Sequence, residues 1–195
     1  MTVSDDALWK AARRDPDAFG VLWERHARAV LGFCLARTGD RGRAEDLTST
    51  VFLEAWRRRR SVELTNASAL PFLLGVANNV TRNADRSLHR YRAALSRLAP
   101  AAAAPAGPED DIVDRIDSQR AFDDAIRALT VLSQGERDAF ALVAWSGLTY
   151  EEAATALGVE LGAVRSRLWR ARQKLQLALA AAPSGSYKPA PQRSV

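Results

Sequence analysis

Apolar residues recur along most of this chain at the three- and four-residue spacing of helices buried on one side. No alternating strand pattern interrupts them, and β-branched runs are few. Asp15-Pro16-Asp17 reads as a helix start: an acid that can cap free amides, then a proline in the first turn. Phe19, Leu22, Trp23, His26, Val30, Phe33 and Cys34 follow at helical spacing. Thr38-Gly39-Asp40 ends that helix and caps the next. There Ala44, Leu47, Val51, Phe52 and Ala55 face inward, up to Trp56. Four arginines, Arg57 to Arg60, precede a polar loop through Asn66. A further helix is expected over 67–92, with Pro71 near its start or at a bend.

The pattern then breaks. Residues 99–108 read APAAAAPAGP, too rich in proline and glycine for a helix and too poor in large apolar residues for a core. Glu109, Asp110, Asp111, Asp114 and Asp117 follow as an acidic cluster. A structureless loop longer than about 15 residues is uncommon inside a compact domain, so 99–116 is expected to be a linker. The expected organisation is a helical domain over 1–98, that linker, a second helical domain over 117–182, and a disordered tail over 183–195. The fold class is all-α: two small helical domains joined by a Pro/Ala/acidic linker, the second a helix-turn-helix.

The helix-turn-helix is carried by residues 149–179. Thr149 is a good N-cap, and Glu151 and Glu152 in the first turn favour the positive end of the helix dipole. Ala153, Ala154 and Leu157 face inward, Gly158 tolerates a left-handed turn, and Val159 packs back. A second helix from about 161 to 179 buries Val164, Leu168, Ala171 and Leu175. Its other side carries Arg165, Ser166, Arg167, Trp169, Arg170 and Arg172, a face able to offer bidentate arginine contacts in a DNA major groove. Trp169 reads either as a groove contact or as part of the core.

Composition narrows the function classes. The 195 residues are 47% hydrophobic and 26% charged, a soluble globular balance that excludes full disorder. The N-terminus lacks a signal-peptide pattern and no run approaches the roughly 20 apolar residues of a membrane span, so a cytoplasmic protein without membrane insertion is expected. A single cysteine, Cys34, excludes an internal disulfide framework and a Cys-rich zinc site. It reads as a small buried residue, with a reactive thiol as the alternative. His26 and His89 are far apart and have no obvious ligand partners. No nucleophile–base pair, metal spacing or phosphate-binding loop emerges, so no catalytic residue, metal site or cofactor is expected and the chain is not read as an enzyme.

Charge adds the nucleic-acid signal. The net charge is +5, and its distribution matters more than its size. Residues 57–97 hold nine basic residues against two acids, whereas residues 117–160 hold eight acids against three bases. Residues 161–177 hold five bases and no acid. Each domain thus has a basic surface, which points to a polyanion; a solvated arginine face is the plainer alternative.

Three stretches in this order resemble the extracytoplasmic function (ECF) group of bacterial RNA polymerase sigma factors. Ala44-Glu45-Asp46-Leu47 with Val51-Phe52-Leu53-Glu54-Ala55-Trp56 resembles sigma region 2.2. Pro71-Phe72-Leu73-Leu74-Gly75-Val76-Ala77-Asn78-Asn79 through Arg86 resembles regions 2.3 and 2.4. The third, most specific stretch starts at Leu132-Ser133-Gln134-Gly135-Glu136-Arg137 and passes through Gly147-Leu148-Thr149-Tyr150-Glu151-Glu152. It ends with Gly162 to Arg172, and it resembles region 4.

The resemblance implies a sigma factor that binds core RNA polymerase, directs it to promoters and helps melt the minus-ten element. Asp46, Ser49, Thr50, Leu53 and Arg57 would contact the beta-prime clamp helices, with Ser49 and Thr50 standing where the family usually has Gln and Glu. The loop over roughly 61–70 would hold a flipped minus-ten base, with Asn66 and Ser68 offering hydrogen bonds. Asn78, Asn79, Arg82, Asn83 and Arg86 would bind the same single strand; Asn78 replaces the family's usual Arg and Asn83 its usual Asp. Asn79 reads equally as a helix-packing or capping residue. Arg165, Ser166, Arg167, Trp169, Arg170, Arg172 and Lys174 would bind the minus-thirty-five duplex, the last two mainly through phosphate. Ala163 stands where Thr is usual. Implied partners are core polymerase (beta-prime clamp helices and beta flap), promoter DNA both duplex and single-stranded, and an anti-sigma factor. The rival class is a polymerase-independent helix-turn-helix regulator binding duplex operators. It accounts for 117–180 and leaves the arginine-rich first block unexplained.

Overall fold

The computed structural model describes residues 3–65, 67–98 and 131–181. Asn66, the linker over 99–116 and the tail over 183–195 lie outside the described residues. All regular elements among the described residues are helical.

The chain begins with a helix the hydrophobic pattern does not reveal, α1 (Asp5–Ala11), capped by the Ser4 hydroxyl, which accepts the Ala7 N–H. Seven residues are too few for a helix to be stable alone, so α1 depends on its buried Leu8 and Trp9. The next helix, α2 (Pro16–Thr38), starts and stops as expected: Asp15 caps it, and Gly39 ends it at φ 66°. Asp40 then caps α3 (Arg41–Arg58) by accepting the Arg43 N–H at 2.9 Å. The long α4 (Leu70–Leu98) starts three residues later than the expected 67 and runs past the expected 92. Its start is fixed where the Ser68 hydroxyl accepts the Leu70 N–H, which leaves Pro71 inside the first turn, without a kink.

Among the described residues the second half starts with α5 (Gln134–Phe140), begun by a capping box between Ser133 and Glu136. A π-helical turn, Ala141–Trp145, continues it, and Gly147 at φ 69° redirects the chain. The helix-turn-helix follows as α6 (Tyr150–Leu157) and α7 (Leu161–Ala181). Thr149 and Glu152 form the capping box of α6, and Gly158 adopts the left-handed turn at φ 62°.

Inward positions differ from expectation in detail. Trp23 is 39% exposed, lying across Phe52 at 4.3 Å between ring centroids. On α3 the buried stripe takes in Thr48, while Leu47 is only half-buried. Thr48 is tolerated inside because its hydroxyl donates to the Ala44 carbonyl at 2.7 Å.

Both expected helical halves are present, and α1–α4 and α5–α7 also pack together and share one continuous core. Helix α6 lies on α4 where Gly75 faces the backbone of Ala156: a Cβ at Gly75 would sit 2.8 Å from the Ala156 carbonyl oxygen. The halves are also joined where Asp138 of α5 pairs with Arg37 of α2 at 3.0 Å, both side chains being nearly inaccessible. Asp138 also meets Arg82 of α4 at 3.6 Å and accepts the Gln134 amide.

Candidate nucleic-acid interface

Three surfaces collect the residues singled out from sequence. The first is the outer face of α3. Asp46, Ser49, Thr50, Leu53 and Arg57 are all exposed and share one stripe. Leu53 leaves 48% of its surface open, an apolar centre within a polar rim. The Ser49 and Thr50 hydroxyls donate back to the Glu45 and Asp46 carbonyls, at 3.1 and 2.9 Å, so the stripe stays low and even. Arg57 reaches Glu54 at 2.8 Å.

The second surface lies between α3 and α4. Asn79, Asn83 and Arg86 are exposed along α4, with Arg86 donating to the Asn83 side-chain oxygen at 2.7 Å. Asn79 and Asn83 line a groove with Thr50, Glu54 and Arg58 of α3. Asn79 is thus a surface residue and not a packing residue. Asn79 also borders a cleft walled by Val62, Leu64, Thr65, Ser68 and Phe72. Asn78 does not join them. It sits 2% exposed on the buried stripe of Leu74, Ala77 and Thr81, because helical spacing puts it one step round from Asn79. Its side-chain oxygen finds no hydrogen-bond partner among the described residues. Ser68 is committed too: its hydroxyl donates to Asp5 at 3.3 Å while accepting from Leu70.

The second half intrudes on this surface. Thr155 and Ala156 of α6 complete the wall of the cleft, and Arg82 is drawn toward Asp138. None of Gly75, Arg37, Asp138, Thr155 and Ala156 is recognised from sequence as a site residue. A glycine inside a helical pattern is the available cue to a close backbone approach.

The third surface is α7. Arg165, Ser166, Trp169 and Arg170 line one shallow depression, and Trp169 is 65% exposed, which excludes the core reading for it. Arg172 is exposed and its guanidinium donates to the Tyr150 hydroxyl at 3.2 Å. Arg167 is half-buried and lies over Gly135. Lys174 faces inward to Glu136, its ammonium donating at 2.8 Å, with Arg170 at 3.5 Å from the same carboxylate. The Lys174 hydrogen bond, reinforced by the Ser133 N–H, outweighs burial and holds Glu136 below the usual carboxylate range. A phosphate would compete with Glu136 for Lys174, and among the described residues has no such rival at Arg165. Among the described residues no cluster of His, Cys, Asp and Glu could hold a metal, and no helix is long and apolar enough to cross a membrane.

Both helical halves match known protein families. Residues 22–91 match the family model of Sigma-70 region 2, and residues 122–175 match Sigma-70, region 4. The ECF RNA polymerase sigma factor SigK of Mycobacterium sp. (strain KMS) is 29% identical over 167 residues, covering 84% of each chain. SigK of Mycobacterium tuberculosis (strain H37Rv) is 28% identical over 176 residues, 88% of this chain and 91% of the relative. Among solved structures, the sigma factor RpoE in complex with the anti-sigma factor NepR from Bartonella quintana superposes with TM-score 0.61 at 25% identity, covering 84% of this chain and 98% of that one. CnrH, solved with the cytosolic domain of CnrY, gives TM-score 0.66 at 22% identity, covering 91% and 99%, and shares the fold. Both helical halves are therefore accounted for: the chain belongs to the Sigma-70 family, as a promoter-specific RNA polymerase sigma factor of the ECF group.

Proposed function

We propose that this sigma factor divides promoter recognition between the α3–α4 surface and α7, and docks on core polymerase through the Asp46–Arg57 stripe. The observation that carries the division is the contrast between the two surfaces. The α7 face is shallow, arginine-rich and open, as a helix entering a major groove requires. The α3–α4 surface is concave and sets apolar walls, such as Val62, Leu64 and Phe72, beside the amides of Asn79 and Asn83 and the hydroxyls of Thr65 and Ser68, as capture of an unstacked base requires. Asn79, Asn83 and Arg86 would hold the minus-ten strand, with Asn66 and Ser68 beside the base. Arg165, Ser166, Trp169 and Arg170 would read the minus-thirty-five duplex, with Arg167, Arg172 and Lys174 on the phosphates. Asn78, buried inside α4, takes no part in strand binding, and Arg82 joins after Asp138 lets it go.

With α6 against α4 the duplex-reading face is exposed while Thr155 and Ala156 narrow the base cleft, so the halves part before the minus-ten strand is bound. Docking on polymerase supplies that separation. The protein works in the cytoplasm as a binding subunit, without a catalytic step of its own. RpoE is described as bound to an anti-sigma factor, and the same class of partner is proposed here. The test is run-off transcription with purified bacterial core polymerase on promoter fragments from the source genome. A template-specific transcript that needs this protein, and is lost on Arg165→Ala with Arg170→Ala, supports the reading. Tight operator binding without co-elution with polymerase or any transcript would overturn it.

A further inference from the structure

We infer that α1, which lies outside the Sigma-70 region 2 match over 22–91, is the positioning element of the minus-ten base cleft. The inference rests on the reading above, in which that cleft takes the unstacked base. The cleft wall is a non-helical connection between α3 and α4, and α1 holds both ends of it.

At the α3 end, the Trp9 indole N–H donates to the Val62 carbonyl at 2.9 Å. The Arg59 guanidinium donates to the Ala12 carbonyl at 3.0 Å, and Arg13 donates back to the Arg59 carbonyl at 3.3 Å. At the α4 end, the Asp5 carboxylate accepts the Ala69 N–H at 2.8 Å and the Ser68 hydroxyl at 3.3 Å. The Trp9 ring also meets Phe72 edge-on, 5.1 Å between centroids. Val62, Ser68 and Phe72 all line the cleft. A single short helix therefore fixes two ends and one side of the wall.

The Asp5 arrangement is more than a cap. Asp5 is 5% exposed and also meets His26 at 2.6 Å and the Arg25 guanidinium. A buried carboxylate is costly unless every oxygen is engaged, so its geometry is tightly determined. Charge-assisted bonds are the strong ones, and here they end on the loop that shapes the cleft. Because α1 has too few residues to persist unaided, its contacts to the wall and its own order stand or fall together. None of its residues lines the cleft, so α1 acts through the wall and not by touching a base.

The test uses full-length protein assembled with core polymerase and a fork-junction promoter fragment that the holoenzyme itself selects from genomic DNA. The non-template strand is scanned with single abasic sites across the minus-ten element. Wild type should show one position where removing the base weakens binding most. Asp5→Asn, which keeps the side chain's shape, should reduce that base-dependent component about tenfold. Trp9→Phe, which keeps the ring contact with Phe72 and loses the bond to Val62, should reduce it about threefold. Core polymerase affinity and minus-thirty-five duplex affinity should stay at wild-type values, a pattern that general unfolding cannot produce. Equal sensitivity to the abasic site in wild type and both variants would overturn the role of α1. So would a uniform loss across all positions and both control affinities. If wild type itself shows no sensitive position, the cleft reading fails and takes this inference with it.

Discussion

Gly75→Ala separates two effects that the packed halves combine. Gly75 lies inside α4, where replacing glycine by alanine favours the helix by about 1 kcal/mol. The added Cβ would lie 2.8 Å from the carbonyl oxygen of Ala156 and 3.2 Å from its Cα. Ordinary contact begins near 3.4 Å, so α4 and α6 must retreat by about 0.6 Å. The opposing atoms are backbone, with no flexible end to swing away, and overpacking of this kind costs about 1–3 kcal/mol. The same shift loosens the Asp138–Arg37 pair, whose value depends on close approach in a dry setting. The α1–α4 half should therefore become more stable while its contact with α5–α7 weakens. In calorimetry the variant should show two transitions in place of one, because the about 1–3 kcal/mol lost at the contact outweighs the about 1 kcal/mol gained within α4. Its radius of gyration by small-angle scattering should increase, and its affinity for minus-ten single strands without polymerase should rise. A single transition at higher temperature, with unchanged radius and unchanged strand affinity, would refute a role for this contact in restricting the cleft.

Other consequences are direct. Leu53→Asp places a charge at the apolar centre of the α3 stripe and should weaken core polymerase binding about 30-fold or more, with unchanged circular dichroism. At Asp5 burial pushes the carboxyl upward, but the Ala69 N–H, His26 and Arg25 together outweigh it and leave it below the usual carboxylate range. A depressed carboxylate stabilises the fold fully above its unfolded value near ~3.9 and loses that contribution as pH falls through the lower folded value. The stability gap between wild type and Asp5→Asn in denaturant titrations should thus be present at pH 7 and vanish in that acid window; a gap that persists below it would contradict the assignment. Cys34 is fully buried, and burial pushes its thiol up despite the Thr48 hydrogen bond and the nearby Arg37 charge. Native protein should resist thiol reagents at pH 8 and react after denaturation; fast labelling of the native chain would show otherwise.

Local chemistry made much of this fold legible. Asp15, Asp40 and Thr149 cap where they were expected to, and Gly39 and Gly158 turn left-handed, because a cap or a turn depends on a few adjacent residues. The exposed stripe on α3 and the arginine face of α7 follow from helical period alone. Helix α1 was missed because seven residues carry too little periodicity and its stabilising partners, Val62 and Ala69, lie more than fifty residues away. Asn78 and Asn79 differ by one step in sequence and by a hundred degrees around α4, so a polar pair could not reveal which side was buried. The contact between the halves was not foreseen, although the acidic excess over 117–160 beside the basic excess over 57–97 was a clue. Asp138 with Arg82 is one place where that complementarity is realised.

The central claim is that α7 reads duplex while the α3–α4 surface captures melted strand. Permanganate footprinting of the assembled holoenzyme on one supercoiled promoter tests it most directly, combined with a protection assay over the upstream element. Arg165→Ala with Arg170→Ala should abolish protection at the minus-thirty-five element and, with it, thymine reactivity at minus ten. Asn79→Ala with Asn83→Ala should leave upstream protection intact and remove the reactive thymines. If the Asn79 and Asn83 substitutions instead leave melting unchanged, the α3–α4 surface is not the strand-capturing site and the division of labour is wrong.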